Sequence, residues 1–340
     1  MSTGLLTRVA KRQKVANDGV ERTTLSFYKY VRIANPEEFR ELLQNQWDRL
    51  GCLGRVYVAN EGINAQMNVP SKNFETFQVF LSKVPELKDV PLKIAVEEGS
   101  KPSFYKLTIK VKKKIVADGL DDTSFDVTDT GAYLSAREFN EYVDDPDALV
   151  VDMRNSYESE VGHFENALTP DVDTFRDELK ATPELLRVHK NKKIALYCTG
   201  GIRCEKASAW LKHNGFENVH HLKGGIIDYK HQVEQEGLEN KFHGKNFVFD
   251  ERLSERISDE IISNCHLCHT NKSDTHYHCK FQPCHVLYLG CEECVEKKHG
   301  YCSPVCMALD QLPPKLQKLY ARYRNKLYRP KQFRKCKLRK

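Results

Sequence analysis

The pattern of hydrophobic and polar positions over residues 21–119 predicts a first domain of strands and helices. Four strands are predicted, in the segments TLSFYKYVRI (24–33), GRVYVAN (54–60), INAQMNVP (63–70) and LKIAVEE (92–98). Apolar residues at helical spacing predict two helices, in PEEFRELLQNQWDRL (36–50) and KNFETFQVFLSK (72–83). The resulting order, βαββαβ, is that of the ferredoxin-like split unit.

The same domain ends in SFYKLTIKVKKKIVADG (103–119), where Leu107, Ile109 and Val111 alternate with polar residues. This alternation predicts an extended segment with one basic face, because residues at even spacing share a side of a strand. The lysines that could contact RNA from that face are Lys110, Lys112, Lys113 and Lys114. A solvated strand surface is an equally good interpretation of the same pattern.

Strands and helices alternate again over residues 144–238. Strands are predicted in ALVVDMR, KKIALYC and NVHHLKGG, with helices between them, and this order indicates a parallel sheet covered by helices on both faces. The rest of the chain divides by composition into a disordered start (1–20), two linkers (120–143 and 239–263), a cysteine-rich module (264–308) and a basic tail (309–340). The first linker holds one short helix, SAREFNEYV.

The charge of the chain is uneven, although the net charge of +6 over 340 residues is modest. Residues 315–340 contain twelve Lys or Arg and no acidic residue, with aromatic residues between them. Cations that neutralise phosphates, together with rings that stack on bases, suit RNA, and Arg322, Arg324 and Arg329 are the contacts predicted here. The alternative is a tail that only keeps the protein in solution.

Several classes of protein are disfavoured by the sequence. No segment reaches the apolar length of a membrane span, and the N-terminus lacks the pattern of a secretory signal. Twelve cysteines in a chain without an export signal favour metal binding or thiol chemistry over disulfides, so we expect a cytoplasmic protein.

The segment LYCTGGIRCEKAS (196–208) contains the strongest candidate for chemistry. Cys198 follows a predicted buried strand, and Thr199, Gly200, Gly201, Ile202 and Arg203 form a loop that leads into a helix. Backbone amides of such a loop, the helix N-terminus and the arginine all stabilise a thiolate, so we expect a reactive Cys198 in an anion-stabilising loop. Cys204 lies in the first helical turn and could either pack or act as a resolving thiol.

The spacing Cys198-x4-Arg203, together with VVDMR (150–154), GHFENAL (162–168) and LKGG (222–225), resembles rhodanese domains. The loop is one residue shorter than the Cys-x5-Arg loop of the related phosphatases, which makes phosphatase chemistry the weaker candidate. Together with the patterns above, this resemblance predicts an α+β and α/β multidomain protein: a ferredoxin-like domain, a central rhodanese-like α/β domain with a parallel sheet, and a C-terminal cysteine-rich module.

Four longer motifs resemble a more specific family, the rhodanese-domain tRNA uridine hydroxylases. They are RTTLSFYKY (22–30), GRVYVANEGINAQ (54–66), YCTGGIRCEKASAWLKHNGF (197–216) and GKNFVFDERLSERIS (244–258). This resemblance covers about residues 22–306 and implies hydroxylation of the wobble uridine at C5, with molecular oxygen as co-substrate, the anticodon loop of tRNA as partner and Cys198 as the catalytic residue.

No motif for binding ATP, NAD or flavin is present, so we expect a mechanism that starts from the thiolate. Cys198 either adds to C6 of an extruded uridine or is itself oxidised and delivers the oxygen. Two other functions stay open: a sulfurtransferase carrying a Cys198 persulfide, and an RNA-binding scaffold without activity. An iron site at His163 and Glu165 is disfavoured, because both lie in the rhodanese-like GHFENA turn.

The cysteines of the C-terminal module come in pairs with short spacing, which is typical of structural zinc sites. The eight predicted ligands are Cys265, Cys268, Cys279, Cys284, Cys291, Cys294, Cys302 and Cys306. Eight thiolates could hold two zinc ions, and the nearby histidines could replace some of them. An iron–sulfur cluster and a core of free cysteines are the alternatives.

Overall fold

The computed structural model describes residues 10, 12–97, 102–120 and 124–327, with side chains as far as residue 320. The βαββαβ order of the first domain is confirmed. Its elements are β1 (Arg22–Tyr30), α1 (Pro36–Arg49), β2 (Leu53–Ala59), β3 (Gly62–Pro70), α2 (Phe74–Lys83) and β4 (Lys93–Ile94). A fifth strand, β5 (Leu107–Val111), pairs in parallel with β2, and the sheet order is β4-β1-β3-β2-β5.

Alternation along β1 separates the two faces of this sheet. Leu25 and Phe27 are buried on the side of the helices, where the ring of Phe27 lies edge-on to Trp47 with 6.3 Å between centroids. Ser26 and Tyr28 point to the other side, where they pair across the strands with Gln66 and Asn64. That polar side faces the second domain and forms one wall of the candidate site.

The elements of the second domain are β6 (Ala132–Leu134), α3 (Ala136–Asp144), β7 (Ala148–Asp152), α4 (Ser156–Ser159), β8 (Gly162–Phe164), α5 (Phe175–Leu185), β9 (Lys193–Tyr197), α6 (Ile202–His213), β10 (Val219–Leu222) and α7 (Gly225–Glu236). Four of the strands form a parallel sheet with the order β6-β10-β9-β7. Helices cover both faces, as predicted: Tyr197 packs in one core with Phe139, and Leu196 packs in a second core with Leu179.

Both segments predicted as linkers belong to sheets instead. Residues 120–143 contribute β6 and most of α3, and β6 pairs with β10 at the edge of the parallel sheet. Residues 239–263 contain β11 (Phe242–Phe247) and β12 (Ser254–Arg256), which form a three-stranded sheet with β8. With three residues each, β6 and β12 are too short to show a hydrophobic period, so pairing with other strands defines them.

The cysteine-rich module follows directly and contains a hairpin of β13 (His276–His278) and β14 (Leu287–Leu289), then α8 (Glu292–Lys297) and α9 (Pro304–Asp310). The predicted tail begins with a further helix, α10 (Pro314–Leu327). Residues 12–16, predicted to be disordered, are helical, and Arg12 forms an ion pair with Glu251. No helix in the described ranges is long and apolar enough to cross a bilayer.

Candidate active site

Cys198 follows the end of β9, and the loop that begins there leads into α6, whose first two residues are Ile202 and Arg203. Cys198 is fully buried, and the amide of Gly201 donates to its Sγ at 3.1 Å. Gly201 has a φ of +94°, a conformation that side chains disfavour, and a Cβ there would lie 2.8 Å from the hydroxyl of Tyr28. Glycine is therefore needed both for the turn and for the close approach of the first domain.

The surroundings of Cys198 favour its thiolate. Burial alone would raise the pKa of this thiol, but a hydrogen bond from Cys204, the charge of Arg203 and the amides of Arg203 and Cys204 lower the pKa to about 5. Cys198 is therefore ionised at neutral pH, which makes it a nucleophile without a separate base.

Arg203 has a partner that the sequence did not reveal. Its two guanidinium nitrogens donate to the carboxylate of Glu158 at 2.7 and 2.9 Å, and its Nη2 also donates to the Thr199 hydroxyl at 3.3 Å. Glu158 is fully buried and accepts from the backbone amide of Asn155 at 3.0 Å. This bidentate pair fixes the guanidinium beside the loop.

Cys204 is also buried, and its pKa is raised well above that of a free thiol by burial and by its hydrogen bond to the Cys198 thiolate. It is therefore a neutral donor in the ground state. A resolving role remains a proposal, since it requires oxidation of Cys198 first.

A cavity of about 490 Å³ opens in front of the loop. One wall holds Cys198, Thr199 and Arg203, and the opposite wall is the polar face of the first domain's sheet. Two rows of that face follow from the strand register: Lys93, Ser26, Gln66 and Arg55 in one, and Tyr28, Asn64, Tyr57 and Lys110 in the other. The sequence did not predict this wall, although the polar positions of the first three strands already marked it.

Partly buried polar contacts of Tyr28 and Glu61 join the first domain to α6 beside the cavity. Tyr28 donates to Glu205 at 3.0 Å, and Tyr133 donates to the same carboxylate oxygen at 2.8 Å. Lys206, which is 1% exposed, forms an ion pair with Glu61 at 2.8 Å. These contacts hold the sheet of the first domain against the start of α6, so the cavity is built by both domains.

The lysines predicted to contact RNA have different surroundings. Lys110, Lys112 and Lys113 are exposed at the edge of the first domain, and the ammonium of Lys112 lies 5.8 Å from the centre of the Tyr57 ring. The ammonium of Lys114 instead forms an ion pair with the buried carboxylate of Asp118 at 2.8 Å, so this lysine is paired within the protein. The side chains of Arg322 and Arg324, and all of Arg329, lie outside the described residues.

The cysteines of the C-terminal module form two groups, each with its sulfur atoms within 4.8 Å of one another. The groups consist of Cys265, Cys268, Cys291 and Cys294, and of Cys279, Cys284, Cys302 and Cys306. Along the chain, the first and third pairs build one site and the second and fourth build the other. Within the described ranges these are the groups able to hold a metal ion, and neither includes His163 or Glu165.

Comparison with known proteins places this geometry in a family. Consecutive parts of the chain match three family profiles: residues 22–115 the UPF0176 acylphosphatase like domain, 135–232 the Rhodanese-like domain and 243–307 the Rhodanase C-terminal domain. A protein of Leptospira interrogans named tRNA uridine(34) hydroxylase is 54% identical over 307 residues, which are 90% of this chain and 83% of that protein. The chain belongs to the tRNA uridine(34) hydroxylase family.

A second relative shows how far the likeness extends. The tRNA uridine(34) hydroxylase of Escherichia coli strain SMS-3-5 is 53% identical over 298 residues, which are 87% of this chain and 85% of the relative. The resemblance drawn from the four motifs is therefore confirmed. Because the matched parts include both walls of the cavity, the cavity belongs to the region that the chain shares with the family.

Proposed function

We propose that this protein hydroxylates the wobble uridine of tRNA at C5, with Cys198 as the catalytic residue and molecular oxygen as co-substrate. The observation that carries the proposal is the Cys198 thiolate at one wall of a cavity, in a chain whose relatives are named tRNA uridine(34) hydroxylases. The buried position of the thiolate requires that the base leave the anticodon stack, as other base-modifying enzymes require.

The cavity suits an extruded nucleobase. Its volume of about 490 Å³ exceeds that of one base, and Gln66 and Asn64 offer amide groups on the wall opposite the loop. Tyr57 and Arg55, on the same wall, provide a ring and a cation of the kind that stack on bases or bind phosphates.

Two routes start from the thiolate. In the first, Cys198 adds to C6 of the uracil, and the enolate captures dioxygen at C5 as a peroxide. Two electrons from an external donor cleave that peroxide to a C5 hydroxyl and water, and loss of the C5 proton then expels the Cys198 thiolate from C6. In the second, Cys198 is oxidised to a sulfenic acid, which transfers its oxygen to C5. Both routes place one atom of dioxygen on the base and reduce the other to water with two electrons from an external donor. A tRNA carrying 5-fluorouridine at the wobble position would trap a covalent Cys198 adduct only on the first route.

Isotopes test the proposed function directly. Heavy dioxygen should label the product nucleoside, and thiosulfate labelled with heavy sulfur should not. Nominal mass alone does not suffice, because replacing oxygen by sulfur and adding one oxygen raise the mass almost equally.

A sulfurtransferase is the second candidate, because the Rhodanese-like domain and the cysteine loop also fit a persulfide at Cys198. Sulfur label in the nucleoside, or undiminished turnover without oxygen, would establish that function in place of hydroxylation.

Lys110, Lys112 and Lys113, together with the basic tail, are the proposed surface for the tRNA backbone. Deletion of residues 315–340 should weaken tRNA binding and flatten its dependence on salt, because fewer counterions are released. Binding measured over a salt series, with the full chain as control, tests this. An unchanged slope would show that the tail does not contact the tRNA.

The two cysteine groups are proposed to hold one Zn²⁺ each. Four sulfur donors at this spacing match the tetrahedral ligand set of structural zinc. One ion would join the turn at Cys265 and Cys268 to the start of α8, and the other would join the loop between β13 and β14 to the start of α9.

A further inference from the structure

Lys93 is a buried cation that the sequence did not single out. It lies on β4, opposite Ser26 in the strand register, is 3% exposed and lines the same cavity as Cys198. Its ammonium lies 4.7 Å from the centre of the Tyr28 ring, and its Cδ would be 3.6 Å from a Cβ at Gly200. The side chain therefore reaches from the first domain to the cysteine loop.

No carboxylate in the described part of the chain lies within ion-pair distance of this ammonium. The charged and titratable groups that face it are Cys198 on the loop, Glu205 on α6, Asp228 on α7 and Tyr28 on β1. Burial lowers the pKa of Lys93, and the three anionic groups, Asp228 first, offset only part of that effect. The ammonium thus lies against the Tyr28 ring and lines the cavity with no carboxylate of the described residues in ion-pair range, so a substrate oxygen in that cavity is the natural acceptor.

We propose that the Lys93 ammonium donates a hydrogen bond to O4 of the extruded uracil. This inference rests on the proposed function and on its first route. When the Cys198 sulfur bonds to C6, the C5–C6 double bond breaks and its electron pair moves into the C4 carbonyl, which leaves the negative charge of the former thiolate on O4. A fixed cation at O4 stabilises that charge as an oxyanion hole does.

The same contact selects the base. An ammonium is only a donor, and cytosine presents a donating amino group in place of O4. Cytosine at the wobble position would therefore leave the ammonium unpaired and place two donors together, whereas uracil satisfies it. Lys93 thus becomes both a catalytic residue and a determinant of specificity.

The test compares Lys93→Met with Lys83→Met, since Lys83 is an exposed lysine of α2 in the same domain. In single-turnover reactions at saturating tRNA, Lys93→Met should hydroxylate about 100-fold more slowly than wild type, as expected for loss of one oxyanion donor. Formation of the 5-fluorouridine adduct should slow by the same factor. The dissociation constant for tRNA should stay within about threefold, because one buried contact adds little to a backbone-dominated affinity, and Lys83→Met should behave as wild type.

The pH profile separates a charge role from a packing role. Wild-type activity should fall as pH rises through the lowered pKa of Lys93, and Lys93→Arg, which keeps its charge, should shift that fall to higher pH. Adduct formation at the wild-type rate in Lys93→Met, or a matching loss of tRNA binding and thermal stability, would overturn the proposal. Absence of hydroxylation in the wild type would instead refute the proposed function.

Discussion

Two regions of this molecule contain clustered thiols, and the groups around the sulfur atoms differ between the two regions. At the loop, Cys198 is surrounded by donors: the amide of Gly201 at 3.1 Å, Arg203 and the thiol of Cys204. In the C-terminal module, the sulfur of Cys302 lies 3.7 Å from those of both Cys284 and Cys306. The first arrangement stabilises one thiolate, whereas the second brings together four that would repel one another without a cation.

The difference shows that hydrogen-bond donors and cations near the sulfur, rather than burial alone, set the pKa of a cysteine and therefore its reactivity. Cys52 is buried in the core of the first domain without such donors, and burial raises its pKa to about 12. Cys198 is equally buried, yet donors lower its pKa to about 5. A cysteine that accepts hydrogen bonds from a loop is therefore a nucleophile, whereas a cysteine in an apolar core is an inert thiol. Four cysteines with adjacent sulfur atoms form a metal site.

The largest effect should come from Cys198→Ser. A hydroxyl is not ionised at neutral pH, so we expect hydroxylation to fall by at least about 1,000-fold, while tRNA affinity stays nearly unchanged. Single-turnover product formation and equilibrium binding measure the two quantities. Cys52→Ala is the matched control and should retain activity. A purified Cys198→Ser that still modifies tRNA would refute the cysteine mechanism.

Metal analysis and metal removal test whether the cysteines of the C-terminal module are zinc ligands. Elemental analysis of protein purified without chelator should give about two zinc ions per chain, and Cys279→Ser should reduce this to about one. Because zinc binding and folding are coupled in such sites, a strong chelator should expose the module to proteases and leave alkylation of Cys198 unchanged. His299→Gln, an exposed residue outside both groups, should keep two ions. Iron, or no metal, would contradict the assignment.

Glu158→Gln tests the buried pair beside the loop. Removing one partner leaves the Arg203 guanidinium buried and uncompensated, so the free energy of unfolding should fall by about 3–5 kcal/mol. Denaturant unfolding followed by a global probe measures this. The exposed Glu165→Gln should change stability by less than about 0.5 kcal/mol. Equal stability of the two variants would show that the pair does not hold the loop.

The smallest effect concerns Cys204. Alkylation of wild-type Cys198 should lose half its limiting rate as pH falls through about 5, because only the thiolate reacts. Cys204→Ala removes a hydrogen bond to that thiolate and should raise the midpoint by about one pH unit, whereas Cys204→Ser keeps a donor and should leave it nearly unchanged. An unchanged midpoint in Cys204→Ala would mean that the amides and Arg203 suffice.

Strong local patterns were sufficient to predict most elements. The first helix begins at Pro36, where the Asn35 side chain accepts from the amide of Glu38, and its apolar spacing places Phe39, Leu43 and Trp47 in the core. The three residues of β6 carry no such period, and only pairing with β10 makes them a strand. Short cysteine spacings predicted metal sites, but which pairs share an ion depends on how the hairpin folds.

The sequence by itself determined the thiolate loop, because Cys198, the glycines and the helix start are neighbours along the chain and their effect is local. Only the tertiary structure decided what surrounds that loop. Glu158 reaches Arg203 across 45 residues, and Tyr28 reaches Glu205 across 177. Lys93 shares the cavity with Cys198 only because the polar face of one sheet packs over the end of another. Such contacts depend on the packing of whole domains, which no local pattern of residues encodes.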